Sequence, residues 1–330
     1  MRIRKVSFIM ALCLGVGCTR SQDSGDTDTD AVQLAPTRIY GTLVSHNETM
    51  GNEPCDRVLE AGADQEERYL ANREATVAAA DIVVAAEAAW DWQSDWLYLE
   101  RVVEYDKGNV LESTDGKNLV QYLAEQPPNH IIVDPHSHEK AGYNYSDVAA
   151  LLVGLGAPDT GIVGGFVANP PEEEDWTRFR EGPIVALQSE YEFSGTVLWG
   201  AGSKRHSDDP LASGIWRPKD AEHFLEDDPS QSLLSIGSYN MGPETIVGVM
   251  TLLEKLRNGE LEENRLYTVG IMVRQCNLDL AGQLDVIQGI VDDLAPEVET
   301  GDFVWATLPD IIEIWEQQYQ SEPVILEYEK

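Results

Sequence analysis

The chain has 330 residues, 58 of them acidic and 23 basic, for a formal net charge of -35. That balance argues against nucleic acid as a partner and against docking of the protein surface on anionic lipid. A hydrophobic fraction of 42% is enough for a large buried core.

Arg2, Arg4 and Lys5 precede an apolar run from Val6 to Val16. The run has the length of a signal peptide and is too short to anchor stably across a bilayer. It ends at Gly17-Cys18, which resembles the lipobox of bacterial lipoproteins, with Gly15 where Leu is usual and Leu14 one place early. The resemblance implies cleavage before Cys18, a lipid anchor on Cys18 and a membrane as partner. Ordinary secretion with cleavage nearby is the alternative. Thr19 after Cys18, rather than Asp, points by the usual lipoprotein rule to the outer membrane. Residues 19–37 are rich in Ser, Asp, Thr and Gly and read as a flexible acidic tether. Residues 38–330 remain as one domain. Of four cysteines, Cys55 and Cys276 are left for a disulfide, which an exported compartment permits.

Strand-like runs follow at Ile39–Val44, Ile131–Val133, Gly161–Val167, Thr196–Trp199, Leu233–Ile236, Leu266–Val273 and Phe303–Thr307. Most are nearly continuous apolar runs, the pattern of strands buried on both faces of a parallel sheet. Helical spacing appears at Gln65–Trp90, Gly116–Glu125, Tyr145–Leu155, Glu244–Asn258, Leu280–Leu294 and Leu308–Gln320. The alternation predicts an α/β fold. Seven strands with chemistry-bearing residues after the first two favour a β/α barrel over an open doubly wound sheet. No glycine-rich phosphate loop follows the first strand, which removes the dinucleotide and nucleotide readings.

Two segments carry the chemistry. Ser45-His46-Asn47-Glu48 follows the first strand, and Asp134-Pro135-His136-Ser137-His138-Glu139 follows the second. Alternate residues of a strand share a face, so His136 and His138 can converge on one ion, with Asp134 at the same parity. His46 and Glu48 are candidate further ligands. A divalent metal is expected, zinc above others.

These segments resemble the polysaccharide deacetylase (NodB-like carbohydrate esterase) superfamily. Asn47-Glu48 stands at its aspartate pair, His136-Ser137-His138 at its histidine motif, and Ser213-Gly214-Ile215-Trp216-Arg217-Pro218 at its arginine motif. The run Phe303–Leu308 stands at its closing strand. The resemblance implies a seven-stranded barrel, a metal-dependent hydrolase of carbohydrate substituents and a poly- or oligosaccharide substrate. It implies metal ligation by Glu48, His136 and His138, and Arg217 orienting the catalytic base. Two departures stand out: Asn47 is an amide and no base, and one residue rather than three separates the histidines. The base role then falls to Glu48, Asp134 or Glu139, or the barrel binds sugar without turning it over. Asp134-Pro135-His136-Ser137-His138 also resembles the Asp-x-His-x-His motif of amidohydrolases, which would enlist His206 and His223. Candidate substrate contacts are Asn47, Trp199, Trp216, Arg274 and Gln275. Helical context assigns Trp90, Trp96 and Trp315 to core packing.

Overall fold

The computed structural model describes residues 34–47, 58, 62–127, 130–139, 141–165, 176–200, 211–240 and 242–328. The expected leader, Cys18 and the tether up to Gln33 lie outside these residues, as do Glu48, Cys55 and His206. Cys276 is disulfide-bonded, and Cys55, its expected partner, is among the residues not described.

The fold is α/β with parallel sheets and flanking helices. β1 (Arg38–Asn47) pairs in parallel along one edge with β11 (Leu266–Val273). Its other edge is shared. The first half takes β12 (Phe303–Trp305), and the second half takes β2 (Trp90–Ser94). β3 (Ile131–Pro135) adds to β2, again in parallel. A second sheet has the order β4 (Ile162–Gly164), β7 (Val197–Trp199), β10 (Leu234–Ile236) and β9 (Ile215–Trp216). Within it only β9 runs antiparallel to its neighbour. Two small antiparallel pairs complete the strands: β5 (Ile184–Val185) with β6 (Glu192–Phe193), and β8 (Ala212–Ser213) with β13 (Leu326–Glu327). Pairing among the described residues therefore runs through separate sheets rather than one closed seven-stranded ring. Hydrogen bonds cross between the two larger sheets on both sides. Gly270 N donates to Ser238 O at 2.7 Å, and Thr268 Oγ1 donates to Gly237 O at 2.7 Å. On the other side, His136 Nδ1 lies 2.7 Å from Gly164 O.

The helices are α1 (Gln65–Ala85), α2 (Trp96–Tyr105), α3 (Leu119–Ala124), α4 (Tyr145–Gly154), α5 (Val247–Arg257), α6 (Gln283–Thr300) and α7 (Leu308–Gln318). α4 begins with a full capping box, Asn144 and Asp147 each satisfying the other's backbone amide. No helix among the described residues is long and apolar enough to cross a membrane. The alanine-rich segment departs from expectation. The helix stops at Ala85, and Trp90–Ser94 forms β2. The reason is local: Trp90-Asp91-Trp92-Gln93-Ser94 alternates apolar and polar with period two, which suits a strand with two different faces.

Those faces organise the interior. Ile39, Leu43, Trp90, Trp92, Ile131 and Val133 pack outward in one cluster with Ala79, Ala80 and Val83 of α1 and Ile287, Val291 and Leu294 of α6. The opposite parity builds a second cluster from Tyr40, Val44, Ile162, Val197, Trp199, Ile215, Ile236 and Leu266. His46, Gln93 and Asp134 on this inner face lie toward the C-terminal ends of β1, β2 and β3.

Gly164 makes room for one of them. A Cβ there would lie 2.5 Å from the Gln93 side-chain carbonyl carbon. Gln93 is fully buried and hydrogen-bonded to Asp91, so it cannot swing aside cheaply. Gly164→Ala is expected to destabilise the fold by about 1–3 kcal/mol, measured as a lowered urea midpoint. An unchanged midpoint would show that the Gln93 pocket has slack.

Candidate active site

The strand register sets the site. Val44 and Asp91 share one row, and His46, Gln93 and Asp134 share the next toward the C-terminal ends. His136 follows Asp134 by two residues, and its backbone N–H donates to Ser94 O at 3.0 Å, extending the parallel pairing past Pro135. Asp91, Gln93, Asp134 and His136 are fully buried, and His138 is 2% exposed.

Three imidazoles come together. The His46 and His136 rings stack with centroids 4.0 Å apart and planes at 22°. His136 Nε2 lies 3.2 Å from His138 Nε2. The Trp199 and His46 rings meet at near right angles with centroids 5.7 Å apart, and Gly270 lets the indole lie where a Cβ would come within 2.8 Å of its ring. His136 Nδ1 faces the Gly164 carbonyl, which can only accept, so Nδ1 carries the proton. Nε2 of the neutral ring is then a lone-pair donor. A carbonyl partner on one nitrogen, which fixes the tautomer, is the usual second-shell arrangement of a ligating histidine. Two such nitrogens on a tetrahedral zinc ion would be about 3.3 Å apart, close to the observed separation. Among the described residues no three His, Cys, Asp or Glu side chains form a ready-made metal cage. A complete cage would draw on donors beyond them, and Glu48 follows directly after β1.

Below the imidazoles lies a pair of buried acids. Gln93 Nε2 donates to Asp91 Oδ2 at 2.5 Å, and Thr160 Oγ1 donates to Asp134 Oδ1. Burial, then the adjacent Asp134 carboxyl, push Asp91 well above the usual carboxylate range. Burial also pushes Asp134 up, to about 6, against the lowering effect of hydrogen bonds from Asp91 and Thr160. Two carboxyls in such a setting share a proton, and the directions place it on Asp91. The arrangement offers a neutral acid and, beside it, a carboxylate that titrates near physiological pH.

The remaining expected residues fall elsewhere. Glu139, at φ 50°, is clamped by both terminal nitrogens of Arg178 and accepts from Tyr145 N at 3.1 Å. Its carboxylate fixes the start of α4. Asn47 has the outward parity of Leu43 and Ser45, and its Nδ2 donates to Gln93 O at 3.0 Å. Arg217 is paired with Asp227 at 3.1 Å, donates to Ser321 O and lies over the Trp315 ring. Because β9 runs antiparallel to β10, the step from Ile215 to Arg217 leads toward the N-terminal ends of the strands, away from the histidines. Trp216 is buried, with its indole N–H on Phe224 O at 2.6 Å. Gln275 is buried against α1, where its side chain donates to Thr76 Oγ1 and its backbone carbonyl accepts from Asn72 Nδ2 at 3.0 Å. Arg274 is half exposed and lies 3.5 Å from Glu244. His223 pairs with Asp220 on the surface.

The structure thus gathers His46, Asp134, His136, His138 and Trp199. It adds Asp91 and Gln93, which the helical reading of the Trp90 region concealed. The signal for both was the period-two alternation of β2.

No family model matches the chain. No curated protein matches it either. Among solved structures it is similar to one described as a "putative glycoside hydrolase/deacetylase" from Parabacteroides distasonis, at 12% identity over 88% of this chain and 74% of that one, with a TM-score of 0.48.

Proposed function

We propose that the protein is a metal-dependent hydrolase that removes acetyl or similar substituents from a poly- or oligosaccharide. On this reading the two larger sheets are halves of one β/α barrel, and the chain is held in the cell envelope, at the outer membrane, by lipid on Cys18. The carrying observation is the 3.2 Å approach of His136 Nε2 and His138 Nε2 above the Asp91–Asp134 pair. Clustering at the C-terminal ends of parallel strands supports it, since barrel enzymes place their chemistry there. The motif resemblance supplies the carbohydrate.

His136 and His138 would hold the ion, zinc by the nitrogen donor set, with His46 and Glu48 as further donors. When bound, such an ion polarises a carbonyl and lowers the pKa of water. Asp134 is the base: its value of about 6 leaves it ionised at neutral pH yet able to hold a proton. Asp91 stays neutral and donates to Asp134, fixing the carboxylate, while Gln93 holds Asp91 in turn. The Gly164 carbonyl holds the His136 tautomer. Trp199 walls the site beside His46 and limits water on that side.

The test is release of acetate from an acetylated chitooligosaccharide by the full chain, with and without added zinc or cobalt. Metal-stimulated turnover is expected. Asn47 favours a second reading, a sugar-binding barrel without turnover, because its amide replaces a base and is spent on the Gln93 carbonyl. Saccharide binding with no turnover under any metal would select that reading.

A further inference from the structure

Two aromatic rings on the segments that follow β2 and β3 have no part in the chemistry above. Trp96 opens α2, immediately beyond β2, and Tyr143 lies in the loop between His138 and α4. Both segments leave the C-terminal ends of their strands, so the rings stand at the rim of the proposed active face. They stack with centroids 4.6 Å apart and planes within 7°. Trp96 is partly buried and packs on the main core cluster, and Tyr143 lies flat against it. Tyr143 is fixed at its far end too, where its hydroxyl donates to Glu100 Oε1 at 2.7 Å. That bond pushes the phenol up to about 12, so it remains a donor across the physiological range.

We propose that Tyr143, backed by Trp96, is a stacking platform for a pyranose ring of a saccharide bound at the C-terminal ends of the strands. The ligand class rests on the carbohydrate reading above; the platform itself rests on the pair. A partly exposed aromatic ring normally has rotamer freedom to lose on binding, and this one has lost it already, so stacking a flat C–H face costs little ordering. Polar groups flank the ring. Glu100 accepts from its hydroxyl, and Gln188 Nε2 donates to Gly142 O at 3.1 Å one residue away. With Glu100 at the edge and a chain charge of -35, the platform suits neutral or amine-bearing sugars and repels uronates.

The experiment is isothermal titration of the full chain in detergent with EDTA present, so that binding is read without metal or turnover. The probes are an N-acetylglucosamine tetramer, a glucosamine tetramer and a galacturonate tetramer. The first two are expected to bind and the third not. Tyr143→Ala should weaken binding about tenfold, and Tyr143→Phe should restore most of it because the ring remains. A thermal melt close to wild type shows that each variant is folded. Unchanged affinity in Tyr143→Ala, equal binding of the galacturonate, or no binding by wild type overturns the platform. Because EDTA is present, these results are separable from the hydrolase reading. Metal-dependent turnover with an indifferent Tyr143→Ala would sink the platform alone. Tyr143-dependent binding with no turnover under any metal would sink the hydrolase alone.

Discussion

The His136→Ala/His138→Ala double variant is expected to lose its divalent ion and with it all hydrolysis. Wild type purified without a histidine tag should carry about one equivalent of zinc or a similar ion, by the four-ligand stoichiometry of such sites. The variant should carry close to none, with affinity down by more than about 100-fold, since loss of a second-shell partner alone costs 10–100-fold. The expectation follows from the proton count at the two rings. His136 has committed its proton to the Gly164 carbonyl, so its Nε2 can only accept. At 3.2 Å from His138 Nε2, it is placed to share a cation with that ring. Truncation also leaves the Gly164 carbonyl without its donor, at about 1–3 kcal/mol. His138→Gln, which leaves that bond intact, separates ligand loss from destabilisation. Elemental analysis decides. Full ion content in the double variant, or none in wild type after incubation with zinc, cobalt, nickel and manganese, would overturn the assignment.

How much of this was readable beforehand follows residue by residue. β1, β3 and β11 were legible because both their faces are buried, which writes an apolar run into the sequence. The His-x-His spacing was legible because parity survives the end of a strand, although β3 stops at Pro135 and the rings converge from beyond it. β2 was not legible. Its inner face carries Asp91 and Gln93 rather than apolar residues, and it follows so closely on an alanine-rich helix that Trp90 reads as helical. The base candidates separated for reasons outside sequence spacing. Glu139 enters a left-handed conformation that delivers it to Arg178, some 40 residues on. Arg217 has the right neighbours in sequence, but strand direction sends it the other way. Parity distinguishes Trp199 from Trp216, and only the sheet reveals it.

The buried acid pair gives the second large effect, a stability that depends on pH through Asp91. Both carboxyls titrate higher in the folded chain than in the unfolded one. A raised carboxyl stabilises the fold while it holds its proton. Its contribution is complete below the unfolded value near 4 and is lost as pH climbs through the folded value. For Asp134 that window runs from about 4 to about 6, and for Asp91 it extends higher. At 1.36 kcal/mol per pH unit, the loss attributable to Asp134 is on the order of 3 kcal/mol. Fifty-eight acidic side chains make any such protein less stable at high pH, so wild type alone is not informative. The difference from Asp91→Asn is. The amide can still donate to Asp134 but does not titrate, so the cost of holding the Asp91 proton in the fold as pH rises disappears. In EDTA, the variant should melt near the wild-type temperature at pH 5 and several degrees above it at pH 8. Parallel melting curves for the two proteins across that range would mean that Asp91 and Asp134 do not share a proton. The base assignment to Asp134 would fall with that result, while the metal assignment to His136 and His138 would be untouched.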